Sequence, residues 1–360
     1  MATPSYWRQL ALHTPVLWTL IDVDIDWIRE QNHLWTKFLL DTVLKRSNQL
    51  LLDVVILYPL YMQESQLCSR WQGLFDRLCD ETERWRSFHL TSKFSWGYKE
   101  FPICSPPQGT SFASLVEVKI SGEHRGKAVA LFRALGGSPR LERLCLDRFD
   151  NVKDIIPDFP WFKLVELEVC RHYMYELDFD FLRNLLPLCS NLQTFSCPMY
   201  KWEMISLGGR LPRTTPPSAH HIVNLSLKKR VSTERIARDL GLSSLSLPSL
   251  QYLEVDEQFV QGAAQIADLI ERSGCSLTSL WFSNVDIMSV MSIIRLIRLP
   301  QVQESLQELV LSGSIYGKTL LECFFGACDS TTDMAKDPCF FLPSLRKLNI
   351  NSFMVGALSR

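Results

Sequence analysis

A short step of apolar residues recurs along the whole of this chain, and little else in it constrains the fold as tightly. In Leu250-Gln-Tyr-Leu253-Glu-Val255 an apolar residue is followed by two spacers and then by two apolar residues flanking one polar position. The end of the step alternates with period two, so Leu253 and Val255 belong to one face of a strand while Tyr252, Glu254 and Asp256 belong to the other. The same first, fourth and sixth positions are met at Trp18/Ile21/Val23, Leu51/Val54/Ile56, Trp85/Phe88/Leu90, Leu115/Val118/Ile120, Leu141/Leu144/Leu146 and Leu164/Leu167/Val169. They continue at Leu192/Phe195/Cys197, Ile222/Leu225/Leu227, Leu250/Leu253/Val255, Leu277/Leu280/Phe282, Leu306/Leu309/Leu311 and Leu345/Leu348/Ile350.

Successive copies mostly lie about 20–30 residues apart, the spacing of a leucine-rich repeat. Between the copies, apolar residues fall at helical spacing: Ala128/Leu131/Phe132/Leu135, Leu182/Leu185/Leu186/Cys189, Ile287/Val290/Met291/Ile294 and Leu321/Phe324/Phe325/Cys328. Residues 34–47 (Leu34, Phe38, Leu39, Thr42, Val43, Arg46), 64–82 and 259–272 also read as helices. A unit of strand, turn and helix cannot bury both its faces by itself, so units stack. Strands stack ~4.8 Å apart and helices ~8–10 Å apart, so the stack bends with strands inside. The expected fold class is α/β: an irregular leucine-rich-repeat solenoid, an arc with parallel strands on the concave face and helices on the convex face. It is irregular because the asparagine at position nine of regular repeats is absent; Glu123, Phe149, His172 and Ser314 stand there. Residues 201–221 and 329–338 are expected to be insertions, the first of them mobile, and Phe353 to Val355 a minimal C-terminal cap.

The N-terminal string Trp7-Arg8-Gln-Leu10-Ala11-Leu-His-Thr14-Pro15-Val-Leu17-Trp18 reads as a helix that stops before Pro15. It resembles the last helix of the F-box, with its junction to the repeats, in the large fungal group of F-box-like leucine-rich-repeat proteins. The resemblance implies a division into residues 1–17, a remnant of the F-box last helix and junction, and 18–360, the solenoid. It also implies an adaptor-side surface at Trp7, Arg8, Leu10 and Pro15. The family's Leu-Pro-x-Glu adaptor segment is not found ahead of Trp7, so most of the adaptor-docking surface is expected to be missing. The function implied is that of the substrate-recognition subunit of an SCF-type ubiquitin ligase, which binds a protein and catalyses nothing. A free-standing leucine-rich-repeat binding scaffold without a ligase connection stays open beside it.

The residues favour neither catalysis nor a cofactor. No G-x-S-x-G, P-loop or H-E-x-x-H occurs. The eleven cysteines include no C-x-x-C pair and no tight Cys/His spacing, so no metal is expected, and free thiols point to a reducing compartment, cytoplasmic or nuclear. His220-His221 reads as an exposed loop pair, and Asp178-Phe-Asp180 as a helix start. A net charge of −1 implies no attraction to nucleic acid, and the longest apolar stretch, Leu50 to Met62, is too short for a membrane.

One feature of the strand face is less generic. At the third, fifth and seventh positions the acids are Asp22, Asp24, Asp53, Glu117, Asp147, Glu166, Glu168, Glu254, Asp256 and Glu308, against Lys119, Arg143, Lys228 and Lys347. The surplus predicts recognition of a basic protein segment, with scatter on a divergent surface as the other reading. The residues expected to meet a protein partner are Glu117, Lys119, Arg143, Asp147, Glu166, Glu168, Tyr252, Glu254, Asp256, Trp281 and Glu308.

Overall fold

The computed structural model describes residues 5–25, 33–58, 65–92, 106–121, 128–147, 159–170, 185–198, 218–228, 242, 245–256, 263–285, 290–313 and 342–352. The chain forms two compact units, Met1–Tyr175 and Glu176–Arg360.

In the first unit six parallel strands pair in chain order: β1 (Leu20–Asp24), β2 (Leu52–Tyr58), β3 (Trp85–Ser92), β4 (Glu117–Ser121), β5 (Arg143–Asp147) and β6 (Glu166–Cys170). The fourth-position residues Ile21, Val54, Phe88, Val118, Leu144 and Leu167 stand opposite one another in register, strand after strand. All six are buried.

The second unit repeats the device. The strands β7 (Thr194–Pro198), β8 (Ser218–Ala219), β9 (Asn224–Lys228), β10 (Leu245–Ser246), β11 (Tyr252–Asp256), β12 (Ser279–Val285), β13 (Glu308–Gly313) and β14 (Lys347–Ser352) follow in the chain. Here β7, β9, β11, β12, β13 and β14 form a parallel sheet in that order, with Phe195, Leu225, Leu253, Leu280, Leu309 and Leu348 in register. The two-residue strands β8 and β10 pair separately, which gives structure to the end of the stretch expected as an insertion. Residues 201–217 of that stretch, the insertion at 329–338 and the cap at 353–355 lie outside the described residues.

An amide ladder continues the pairing below each strand. The N–H groups of Glu142 and Arg143 both donate to the Val116 carbonyl at 3.0 Å, and those of Val165 and Glu166 to Glu142 at 2.8 and 3.0 Å. The pattern recurs from Gln251 and Tyr252 to Val223, from Thr278 and Ser279 to Gln251, and from Gln307 and Glu308 to Thr278. Backbone groups thus satisfy one another where the chain enters each of these strands. Buried serines add rungs: Ser138 Oγ donates to the Leu115 carbonyl at 2.8 Å, and Ser273 Oγ accepts from the Leu247 N–H at 2.9 Å.

Three readings from the sequence need correction. The second step begins at Leu52, not Leu51: Leu52 is fully buried opposite Trp85, a register shift follows, and Leu51 is 41% exposed. The helix His33–Arg46 exists, yet it buries Thr36, Leu40 and Leu44 and leaves Leu34 and Phe38 exposed. Its sequence offers apolar residues on more than one side, and packing selects the narrower stripe. Around Leu186 the described backbone is a short 3-10 turn, Leu186–Leu188, because Pro187 lacks the N–H of a regular helix. The helix Ser65–Cys79 buries Trp71, Leu74, Phe75 and Leu78 as its spacing predicts, and Ala263–Ser273 buries Ile266, Leu269 and Ile270.

Glycines differ sharply in what they tolerate. A methyl at Gly136, the last residue of the helix Ala128–Gly136, would meet Pro160 Cδ at 2.8 Å and Phe159 Cδ2 at 3.3 Å. Gly136→Ala is therefore expected to cost about 1–3 kcal/mol. At Gly73, in the helix Ser65–Cys79, nothing lies within 4 Å. Gly73→Ala is expected to stabilise by about 0.5–1 kcal/mol through helix propensity. Denaturant unfolding of the two variants against wild type checks both signs.

Candidate functional site

The registers arrange the polar side of each sheet into rows. In the first unit one row reads Asp53, Ser87, Glu117, Arg143, Glu166 and the next His89, Lys119, Cys145, Glu168. Lys119, Arg143 and Glu166 are exposed; Glu117 and Glu168 are half-buried. In the second unit the rows are Asn224, Tyr252, Ser279, Glu308, Lys347 and Ser226, Glu254, Trp281, Val310, Asn349. Tyr252, Glu254, Trp281 and Glu308 are half-buried, while Val310 is buried at 6% exposure.

Two residues expected on the open face are not available there. Asp147 and Asp256 are buried, at 8% and 6% exposure. Both occupy the last place of their strand. The Ser121 hydroxyl donates to Asp147 Oδ2 at 2.8 Å, which repays part of the desolvation of that carboxylate.

The acidic surplus is also smaller than the count implies, because several acids are matched within the chain. Arg86 and Ser87 both donate to Asp53. Burial opposes ionisation of Asp53, but these hydrogen bonds outweigh it and hold its pKa below the ordinary carboxylate value. Glu117 lies 3.1 Å from His89 and 3.2 Å from Arg143. Glu308 accepts from Lys347, the main cause of its lowered pKa, and from Ser279 at 3.0 Å.

In the second unit aromatic and acidic groups come together. Tyr252 and Trp281 meet at 5.7 Å between ring centroids, tilted by 56°. The Trp281 indole N–H donates to Ser279 Oγ at 2.9 Å, fixing the ring, and the Ser226 hydroxyl donates to Glu254 at 2.7 Å. Burial, with Glu254 and Glu308 nearby, pushes the Tyr252 phenol up to about 12, so it stays a neutral hydrogen-bonding group. Sequence reading names these residues singly; strand register assembles them.

At the N-terminus, the helix Ser5–Leu12 buries none of its residues. Tyr6, Trp7 and Leu10 are 67%, 59% and 44% exposed, and Arg8 is exposed. The helix stops before Pro15, as the sequence predicts, and Pro15 opens the 3-10 turn Pro15–Trp18. Trp18 ties the two pieces: its indole N–H donates to the Ala11 carbonyl at 2.7 Å, and the Arg46 guanidinium lies 4.6 Å from its ring centre.

One constellation is absent from the sequence reading altogether. Cys145, Glu168 and Cys170 converge, drawn from adjacent strands, so no spacing motif announces them. Cys79, Cys145, Cys170, Cys189, Cys197 and Cys275 are all thiols outside any disulfide. The His220 imidazole is half-buried, and burial together with His221 lowers its pKa, so it is not the fully exposed group expected. Asp178 and Asp180 lie outside the described residues.

The geometry defines an α/β protein built from a repeated strand unit, with parallel sheets that are not closed and a polar side-chain face on each. No protein-family model, curated protein or solved structure matches the chain. Among the described residues no helix is long and apolar enough to cross a membrane.

Proposed function

We propose that this protein is a non-catalytic interaction module of irregular leucine-rich-repeat type, whose polar strand face binds a basic segment of a protein partner. The observation that carries the reading is the group Tyr252, Glu254, Trp281 and Glu308 on neighbouring strands of the second unit. Two half-buried aromatic rings in contact, the Trp281 ring fixed by its hydrogen bond to Ser279, beside carboxylates suit a lysine or arginine side chain, through cation–π contact and ion pairing. Its unbridged thiols suit a reducing compartment, cytoplasmic or nuclear.

The N-terminal helix supports a second contact. Trp7 and Leu10, in the string that resembles an F-box end, are large apolar residues left in solvent. In the role of substrate receptor of an SCF-type ligase, this helix would contribute to the side facing the adaptor, and the strand face would hold the substrate. In the role of a free-standing scaffold, the adaptor plays no part. Co-purification of the full chain with the ligase adaptor separates the two: a stoichiometric complex weakened by Trp7→Ala supports the receptor, and no complex leaves the scaffold. Binding of a Lys/Arg-rich peptide library to the full chain tests the shared claim, and affinity that is indifferent to salt would refute it.

A further inference from the structure

Two thiols and a carboxylate meet on the polar side of β5 and β6. Cys145 stands opposite Glu168 in the register, and Cys170 opposite Asp147 one row further on. The Cys145 Sγ, a Glu168 carboxylate oxygen and the Cys170 Sγ all lie within 4.8 Å of one another. The Cys170 thiol donates to Glu168 Oε1 at 3.1 Å. Among the described residues no other three potential metal-ligating side chains come so close.

We propose that Cys145, Glu168 and Cys170 form a binding site for a thiophilic divalent cation of the zinc class. Zinc bonds of about 2.3 Å to sulfur and 2.0–2.2 Å to oxygen set ligand atoms of a tetrahedral site roughly 3.5–3.8 Å apart. The three side chains need close by only about 1 Å to reach that spacing. Their Cα atoms are held by the strand ladder, so binding does not have to order a loop. The donor set of two sulfurs and one oxygen selects against magnesium and calcium, which take oxygen ligands throughout.

Charge and geometry favour a metal over a disulfide. Cys145 and Cys170 are diagonal neighbours, and the strand spacing and rise put their Cα atoms about 8 Å apart. A disulfide seldom spans more than about 7 Å. Binding displaces one proton from each thiol into solvent, leaving two thiolates and a carboxylate around a divalent ion. Lys119, exposed on β4 opposite Cys145, supplies the positive charge that balances the remaining one. Three protein ligands leave a fourth coordination position on the half-exposed side of Cys145 and Glu168. Metal binding at this point does not depend on whether the strand face meets a protein partner.

The test uses the full chain, reduced and stripped by chelator, and titrated with cobalt(II) as a spectroscopic stand-in for zinc. The expected result is one cobalt per chain at this site, a near-ultraviolet thiolate-to-cobalt band, about two protons released, and displacement by zinc. Cys145→Ser should abolish the band, while Cys189→Ser and Cys275→Ser, at buried thiols outside the cluster, should leave it unchanged. Glu168→Gln, which preserves size, should weaken binding at least about tenfold, the loss typical when even a ligand-orienting group is removed. It carries the test should Cys145→Ser fail to fold. No thiolate band in the wild type, a full band in Cys145→Ser, or unchanged affinity in Glu168→Gln overturns the proposal. So does a Cys145–Cys170 disulfide formed under mild oxidation by a protein that takes up no metal when reduced.

Discussion

Trp85→Ala is expected to lower stability by about 3–5 kcal/mol, the largest loss anticipated from a single substitution here. Trp85 is fully buried, stacked on Phe88 at 5.2 Å and 14° and edge-on to Phe112 at 5.6 Å. It opens β3, a strand paired on both sides, and stands opposite the buried Leu52 of β2. Removing the indole leaves a cavity shared by neighbouring repeats, which have few other contacts to compensate because each repeat packs mainly on the next. The midpoint of denaturant unfolding, followed by circular dichroism, measures the effect. Phe162→Ala provides the contrast. Phe162 is 54% exposed, beside the buried Trp161, and its loss should change stability by no more than about 0.5 kcal/mol. Equal effects from the two substitutions would contradict the assignment of the core.

Trp281→Ala should weaken binding of a Lys/Arg-rich peptide by about 2 kcal/mol or more, roughly thirtyfold. The indole offers the partner a rigid aromatic face, held by Ser279 and packed against Tyr252. Truncating it removes both the apolar contact and the cation–π term. Glu254→Lys acts differently. It reverses one charge, so its effect should be large at low salt and shrink as ionic strength rises. The pair of measurements, affinity at low and high salt for each variant, separates a packing anchor from an electrostatic one. Unchanged affinity in both variants, with circular dichroism showing the fold intact, would remove the second unit's strand face from the proposed function.

The order and register of the strands are legible in the sequence. Where apolar fourth and sixth positions recur, period-two alternation commits those residues to one face, and stacking commits each copy to the same depth. Hence Val118, Leu144 and Leu167 stand in one line, as do Leu225, Leu253 and Leu280. The end of the N-terminal helix is equally legible, since Pro15 cannot continue it. Depth at the ends of elements is not. Asp147 and Asp256 share the parity of exposed residues but are buried at the ends of their strands, and Leu51 and Leu52 exchange roles because of a register shift.

By itself, then, the sequence determined where the strands of the repeated step lie and which side of each is apolar, because both follow from local spacing, whereas the short pair β8 and β10 carries no such step. Tertiary structure alone decided what stands beside what. The meeting of Tyr252 with Trp281, and of Cys145 with Glu168 and Cys170, depends on strands from successive repeats lying in register. The burial of Leu40 and Leu44 in place of Leu34 and Phe38 depends on which side of a helix its neighbours cover. Neither is encoded in local spacing, because the partner groups come from elsewhere in the chain.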